Sequence, residues 1–297
     1  YSSQLVVLGS CFANNIGDKL AYYKFRALQN PFGVLFHPLA IENLISRAIQ
    51  EESYTGEEVF FLNERWQCYD AHSDLSSVAI EDLLGSLNSG LSKTKLYINK
   101  ASHIFITLGT AWTYQLKESG KEVANCHKVP QLAFKKELLS IEKIVQSLEA
   151  IVHQIQTINT KTQIVFTVSP VRHLKDGFLE NQLSKAHLIS AVHQIIKKGN
   201  ALYFPSYELM MDELRDYRFY GNDLVHPNDL AITYIWEKFV SVWIAQEAWP
   251  TMEKVAAVQS GLNHRPFNPE SLKHQEFLKA LDQKITYLQK KYPYMKF

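Results

Sequence analysis

Two nucleophilic side chains stand next to each other in Gly9-Ser10-Cys11, close to the start of the chain. This turn follows a short apolar run and precedes a helical pattern, so we expect it at a strand end and a helix N-terminus. The positive end of a helix dipole favours an anion, and a thiol in this position has its pKa lowered towards the reactive thiolate. The alternative is a tight turn in which Ser10 caps the helix and Cys11 is a small buried residue.

An aspartate and a histidine stand three residues apart in Asp223-Leu-Val-His226, late in the chain. At this spacing the carboxylate orients one imidazole nitrogen and leaves the other to accept a proton from a nucleophile. The alternative is a polar turn before a helix, in which Asp223 and Asn228 satisfy backbone N–H groups. With Ser10 or Cys11, the pair predicts nucleophilic catalysis.

Predicted strands and helices alternate along the chain, which indicates a parallel, doubly wound α/β sheet. Short apolar runs predict strands at residues 4–8, 103–108, 163–168 and 201–204. Helical patterns occur at residues 12–24, 135–158, 180–198 and 227–247. Extra strands or hairpins are expected at residues 56–68 and 111–126, and one or two helices, broken near residues 264–269, at residues 250–297.

Three polar motifs directly follow predicted strands: Gly9-Ser10-Cys11, Gly109-Thr110 and the stretch from Ser169 to His173. In open α/β sheets, ligands bind beyond the carboxyl ends of the strands. The sequence therefore predicts that these motifs meet in one site at that edge of the sheet.

The order of these motifs resembles that of the SGNH (GDSL-type) hydrolases. The chain is more closely similar to the GSCFA family, named for the motif that here reads Gly9-Ser-Cys-Phe-Ala13. The resemblance runs from about residue 4 to residue 245 and implies a three-layer α/β/α, flavodoxin-like SGNH domain at residues 1–249, with a helical extension at 250–297. The other stretches that carry it are Asn30-Pro-Phe-Gly33, Thr107-Leu-Gly-Thr-Ala-Trp112, Asn125-Cys-His-Lys128, Ser169-Pro-Val-Arg-His173 and Glu213-Leu-Arg-Asp-Tyr-Arg218.

The resemblance also implies roles for individual residues. A gapless match to the Gly-Asp-Ser motif of SGNH enzymes puts Cys11 at the nucleophile position, with Ser10 as the alternative, and the final block matches Asp223 and His226. The implied oxyanion hole uses backbone N–H groups at Cys11 and Gly33, with Gly109 in the third block. Ala111 stands where that block has its oxyanion asparagine, and one lost donor costs about 10²–10³ in rate.

Five further residues are predicted to bind substrate. Asn125 and His127 are candidates to replace the missing donor, and Arg172 suits an anionic or hydroxyl-rich group. Asn30 and His173, which lie in the stretches similar to the family, complete the set. The alternatives are structural: Arg172 pairs with a carboxylate under the sheet edge, and Asn125 and His127 close a turn.

Composition excludes several classes of partner. The net charge is +1, from 31 basic and 30 acidic residues, which predicts no binding to nucleic acid. No segment is apolar enough to cross a membrane. Three cysteines do not suggest a disulfide framework, which favours a cytoplasmic protein. The chain starts at Tyr1 and not at Met, so an N-terminal signal sequence that has been removed is not excluded. Neither Cys68 with His72 nor adjacent Cys126 and His127 makes a convincing zinc site, so we predict no metal and no cofactor.

The expected function is ester hydrolysis or acyl transfer on a carbohydrate-like or small hydroxylated substrate. The clusters Trp112-Thr-Tyr114 and Tyr217-Arg-Phe-Tyr220 are candidates to stack on sugar rings, although aromatic residues at such spacing also form cores. The alternative is a binding module that keeps the cleft without turnover. The predicted C-terminal helices are either an appendage or an oligomer contact, so a homo-oligomer is not excluded.

Overall fold

A computed structural model describes all residues from 1 to 297. The apolar runs form strands and the periodic segments form helices, so that sheet and helices alternate along most of the chain. The strands are β1 (Gln4–Gly9), β2 (Arg26–Gln29), β3 (Phe60–Leu62), β4 (Arg65–Gln67), β5 (Ala101–Leu108), β6 (Trp112–Leu116), β7 (Glu122–Val123), β8 (Phe134–Leu138), β9 (Gln163–Val168) and β10 (Leu202–Tyr203). The helices are α1 (Cys11–Tyr22), α2 (Pro38–Gln50), α3 (Ile80–Lys100), α4 (Ile141–Ile158), α5 (Phe178–Lys197), α6 (Ser206–Glu208), α7 (Asp229–Trp243), α8 (Trp249–Leu262) and α9 (Leu272–Lys291).

The central sheet has five parallel strands in the spatial order β10-β9-β5-β1-β2. Counted along the chain, this is the order 2-1-3-4-5 of flavodoxin-like sheets, whose direction switches between β1 and β5. Ligands in such sheets bind at the carboxyl ends of the strands beside the switch point. The turn that follows β1 therefore lies where a ligand is expected to bind.

Both faces of the sheet are covered, because alternate residues of each strand point to opposite sides. Val6 and Leu8 pack into the larger core, with residues of α2, α3, α4 and α5. Leu5 and Val7 pack into the smaller core, with residues of α1 and α7. The predicted three-layer α/β/α architecture is thus confirmed, and the strands read as continuous apolar runs because they are buried on both sides.

The remaining predicted elements differ from the structure at a few places. The helix predicted at 135–158 starts only at Ile141, because residues from Phe134 to Leu138 pair with β6 as an antiparallel strand. β2, with polar and half-buried residues, was not predicted. The hairpins predicted at 56–68 and 111–126 are present as β3–β4 and β6–β7.

The C-terminal region forms two helices, as predicted, and they pack on each other around a small core of Val255, Val258, Leu281 and Leu288. Tyr1 links this region to the sheet, because its ring stacks on Phe25 and also contacts Tyr292. None of the helices combines the length and the hydropathy needed to cross a membrane.

Gly9 sets the turn from β1 into α1. Its φ is +127°, and a Cβ at this position would lie 2.0 Å from the carbonyl oxygen of Thr107 on the neighbouring strand. The Gly9 N–H donates to Asn30 Oδ1 at 2.8 Å, and its carbonyl accepts from Leu35 N–H at 2.9 Å. A glycine is required here because any side chain would push β1 away from β5 at the switch point.

We predict that Gly9→Ala lowers the free energy of unfolding by about 2–4 kcal/mol, because it adds backbone strain and a clash with a strand carbonyl. Urea unfolding measures this change. Gly85→Ala is the matched control: Gly85 lies in α3 with nothing within 4 Å of its Cβ position, so this variant should be stabilised by about 0.5–1 kcal/mol. A Gly9→Ala protein as stable as the wild type would contradict the argument.

Candidate active site

A cleft of about 590 Å³ opens at the carboxyl edge of the sheet. The turn after β1 contributes Cys11, the turn after β5 contributes Thr110, and the loop after β9 contributes the residues from Val171 to Asp176. The loop before α7 contributes Val225 and His226, and the β6–β7 region contributes Trp112, Tyr114 and Asn125. The strand ends are adjacent because Gly9 pairs with Thr107, which in turn pairs with Thr167.

Asp223 and His226 form a hydrogen-bonded pair at one end of this cleft. His226 Nδ1 lies 2.7 Å from Asp223 Oδ2, while Asp223 Oδ1 accepts the backbone N–H groups of Val225 and His226. The hydrogen bond from the His226 side chain, followed by these two backbone bonds, holds the pKa of the Asp223 carboxyl well below its ordinary value. The pair therefore fixes the imidazole with Nδ1 on the carboxylate, which leaves Nε2 to act as a base.

Cys11 is the first residue of α1 and reaches the same cleft. Burial raises the pKa of its thiol, a hydrogen bond from its own backbone N–H opposes this, and the charge of Asp74 raises the pKa further. The expected lowering by the helix N-terminus is thus wrong in its net direction, because desolvation of the thiolate outweighs it. No hydrogen bond joins Cys11 Sγ to His226, so a proton acceptor has to approach the thiol before it can react.

Ser10 points away from the cleft. It is 1% exposed, and its hydroxyl has no hydrogen-bond partner. Ser10 occupies the N-cap position of α1, but its side chain makes no capping bond, so the alternative of a capping serine is also wrong. Of the two nucleophiles in the turn, only Cys11 lines the cleft.

The glycines predicted for the oxyanion hole do not offer free N–H groups. Gly33 N–H donates to the carbonyl of Asn30 at 2.8 Å, and a Cβ on Gly33 would meet His72. Gly109 N–H donates to the carbonyl of Phe36 at 2.8 Å. Neither glycine lines the cleft, and both amides are tied to neighbouring backbone carbonyls.

Two of the five residues that were predicted to bind substrate, Asn30 and His127, have structural roles. Asn30 bridges the Gly9 N–H and Asn14, its Nδ2 donating to Asn14 Oδ1 at 2.7 Å. His127 is buried, with Nε2 lying 2.6 Å from the carbonyl oxygen of Cys68, and burial lowers the pKa of its imidazole. Neither residue lines the cleft.

Asn125 does line the cleft. Its Oδ1 accepts the backbone N–H of His127 at 2.8 Å, which orients the amide. Its Nδ2 group has no hydrogen-bond partner and is therefore free to donate to a ligand.

Arg172 also lines the cleft, and it is held without a carboxylate partner. Its Nη1 donates to the carbonyl of Leu224 at 3.2 Å, and its guanidinium carbon lies 4.9 Å from the ring centroid of Tyr220 and 5.4 Å from that of Tyr217. The predicted alternative, pairing with a carboxylate under the sheet edge, is thus wrong. Exposed Lys175 adds a second cation, while Asp176 is already paired with Lys136.

Lys185 is a buried cation beneath the cleft that the sequence analysis missed. Its Nζ donates to the carbonyl of Gly109 at 2.7 Å and to that of Ser169 at 2.8 Å. Burial lowers the pKa of this ammonium group to about 7. The sequence did hold a signal: Lys185 stands on the apolar face of α5, in helical register with Leu188 and Val192.

Comparison with protein-family models identifies the family. Residues 4–239 match the GSCFA family, and residues 255–297 match the GSCFA domain protein C-terminal domain. The chain belongs to the GSCFA family. No curated protein matches it.

In this GSCFA protein, the N-terminal motif divides into packing and cleft residues. Phe12 and Ala13 are fully buried in the smaller core, where they anchor α1 to the sheet. Ser10 is buried below the cleft, and Gly9 makes the turn. Cys11 is therefore the motif residue that a ligand can reach.

We predict that alkylation of Cys11 by iodoacetamide is slow at neutral pH and accelerates with a midpoint above pH 9, because burial raises the pKa of the thiol above its ordinary value of 9.0. The thiolate forms only as the pH rises through that pKa. Peptide mapping in a Cys126→Ser background measures the rate at Cys11, since Cys126 also lines the cleft. A midpoint below pH 7 would show that the helix N-terminus outweighs burial.

Proposed function

We propose that this protein is an SGNH-type enzyme that hydrolyses or transfers acyl esters through Cys11. One observation carries the proposal: Cys11 and His226 line the same cleft at the carboxyl edge of the sheet, and the Asp223 carboxylate holds the ring of His226. A nucleophile, a base and a carboxylate that orients the base are the three parts of nucleophilic acyl transfer. The flavodoxin-like strand order and the Asp-x-x-His spacing support the SGNH assignment.

The base is indispensable in this scheme because the thiol is protonated at neutral pH. His226 Nε2 takes the proton from Cys11 Sγ as the sulfur bonds to the acyl carbon, and the carbonyl electron pair moves to the oxygen. When the carbonyl re-forms, the bond to the leaving oxygen breaks and that oxygen takes the proton from His226. Water or an acceptor hydroxyl then gives its proton to His226 as its oxygen bonds to the acyl carbon. The bond between that carbon and Cys11 Sγ breaks, and the sulfur takes the proton back from His226. General-base assistance of this kind contributes about 10²–10⁴ in rate.

The lining of the cleft indicates the kind of substrate. Trp112 and Tyr114 offer aromatic faces for a sugar ring or another hydroxylated group. Arg172 has unused N–H donors, and Lys175 adds charge, so an acidic or hydroxyl-rich group fits beside them. Asn125 Nδ2 is free to donate to a substrate oxygen.

A second candidate function is a binding module without turnover. The amides of Gly33 and Gly109 favour it, because both are bonded to backbone carbonyls and cannot hold an oxyanion. Such a module would bind hydroxylated or acidic ligands through Arg172 without acylation of Cys11. It predicts that the wild type and every cleft variant are equally inactive on esters, while Arg172→Gln weakens ligand binding.

The enzyme proposal predicts that Cys11→Ala lowers kcat/KM on p-nitrophenyl acetate and on acetylated sugars by about 10³ or more, because the covalent step is lost. Ser10→Ala is the matched control in the same turn and should keep activity to within about tenfold, since its hydroxyl is buried away from the cleft. Circular dichroism confirms that both variants are folded. If Ser10→Ala abolishes turnover while Cys11→Ala keeps it, the serine is the nucleophile and the proposal is wrong.

A further inference from the structure

Two buried polar atoms without a partner flank Gly109, directly below the cleft. They are Ser10 Oγ and His173 Nε2. A Cβ built on Gly109 would lie 3.1 Å from Ser10 Cβ and 3.3 Å from His173 Nε2. Both atoms therefore lie beside Gly109, and neither is satisfied by another group of the protein.

The other ring nitrogen of His173 has a different environment. His173 lines the cleft, and only Nε2 of its two nitrogens is a buried atom without a partner, so Nδ1 is the nitrogen that a ligand can reach. The ring is held in place: its backbone N–H donates to Asn181 Oδ1 at 2.9 Å, and Phe36 packs against it edge to face at 5.7 Å. Nδ1 is therefore a fixed polar atom in the cleft wall.

The charges around His173 determine which nitrogen carries its proton. Burial, followed by the charges of Lys185 and His226, lowers the pKa of the ring to about 3, although Asp176 opposes this, so the imidazole is neutral. Lys185 Nζ binds the Gly109 carbonyl, on the side of the ring where Nε2 also meets Gly109. A cation on that side favours a lone pair on Nε2, and a neutral imidazole then has its proton on Nδ1.

We infer that His173 is a further catalytic residue, whose Nδ1–H donates to the carbonyl oxygen of the acyl substrate and replaces the oxyanion donor missing at Ala111. This inference rests on the proposed function. When Cys11 Sγ bonds to the carbonyl carbon, the π electron pair moves to oxygen, and Nδ1–H stabilises that charge without giving up its proton.

Two substitutions separate the donor from the shape of the ring. His173→Phe keeps an aromatic ring against Phe36 but removes Nδ1–H, so single-turnover acylation by p-nitrophenyl acetate should slow by about 10²–10³ with KM changed by less than about threefold. His173→Asn supplies an amide donor near the position of Nδ1 and should recover at least about tenfold of this loss. Alkylation of Cys11 by iodoacetamide forms no oxyanion and should be equal in all three proteins, which checks that the cleft is intact.

The outcomes distinguish this inference from the proposed function. A wild type that is never acylated on Cys11 overturns both. If the wild type is acylated and His173→Phe is acylated at a rate within about threefold of it, only the role of His173 is overturned.

¹⁵N NMR of the wild-type histidines gives an independent test in the free protein. We expect a neutral His173 with its proton on Nδ1 at pH 6–8, a range that spans the ordinary histidine pKa of about 6.5. A proton on Nε2, or an imidazolium in that range, would overturn the inference.

Discussion

The carboxyl edge of the sheet depends on one buried ammonium group. Lys185 Nζ ties the carbonyl of Gly109, just after β5, to that of Ser169, just after β9. No carboxylate pairs with Lys185. Its charge is compensated by these two peptide dipoles and by the ring of Tyr207, whose centroid lies 5.7 Å from Nζ, and burial lowers its pKa to about 7. An arrangement this costly persists only where the surrounding packing fixes it, and here it sets the positions of the loops that carry Thr110, Arg172 and His173.

The geometry explains why the thiol and its base lie on separate elements. The turn after β1 carries Cys11 on a tightly packed helix, and the loop before α7 carries the more exposed Asp223–His226 pair. Burial raises the pKa of Cys11, which keeps the thiol protonated until His226 accepts its proton during attack on the substrate. Protection of a thiol until the acyl group arrives is consistent with the proposed hydrolysis or transfer chemistry.

Much of the fold followed from the sequence, because buried parallel strands are continuous apolar runs with glycine at their ends. The same pattern located Cys11, Arg172 and His173 at one edge. His226 follows no predicted strand and was assigned to the site from its spacing to Asp223 and from the family resemblance. The errors have a common cause: Gly33 and Asn30 lie in turns whose hydrogen bonds are set by tertiary contacts, and no local pattern shows which amide stays free. Lys185 stands on the apolar face of α5, which is a signal in the sequence, but only the tertiary structure shows that its ammonium group binds carbonyls at the ends of two strands.

The most direct test of the account is the identity of the acylated residue. Wild-type protein mixed with p-nitrophenyl acetate, quenched in acid and digested to peptides, should carry an acetyl thioester on Cys11 that neutral hydroxylamine removes. The Asp223–His226 pair makes this the expected product, because it supplies the base that the partly buried thiol needs. An acetyl group found only on Ser10 or on lysines, or none at all, would contradict it.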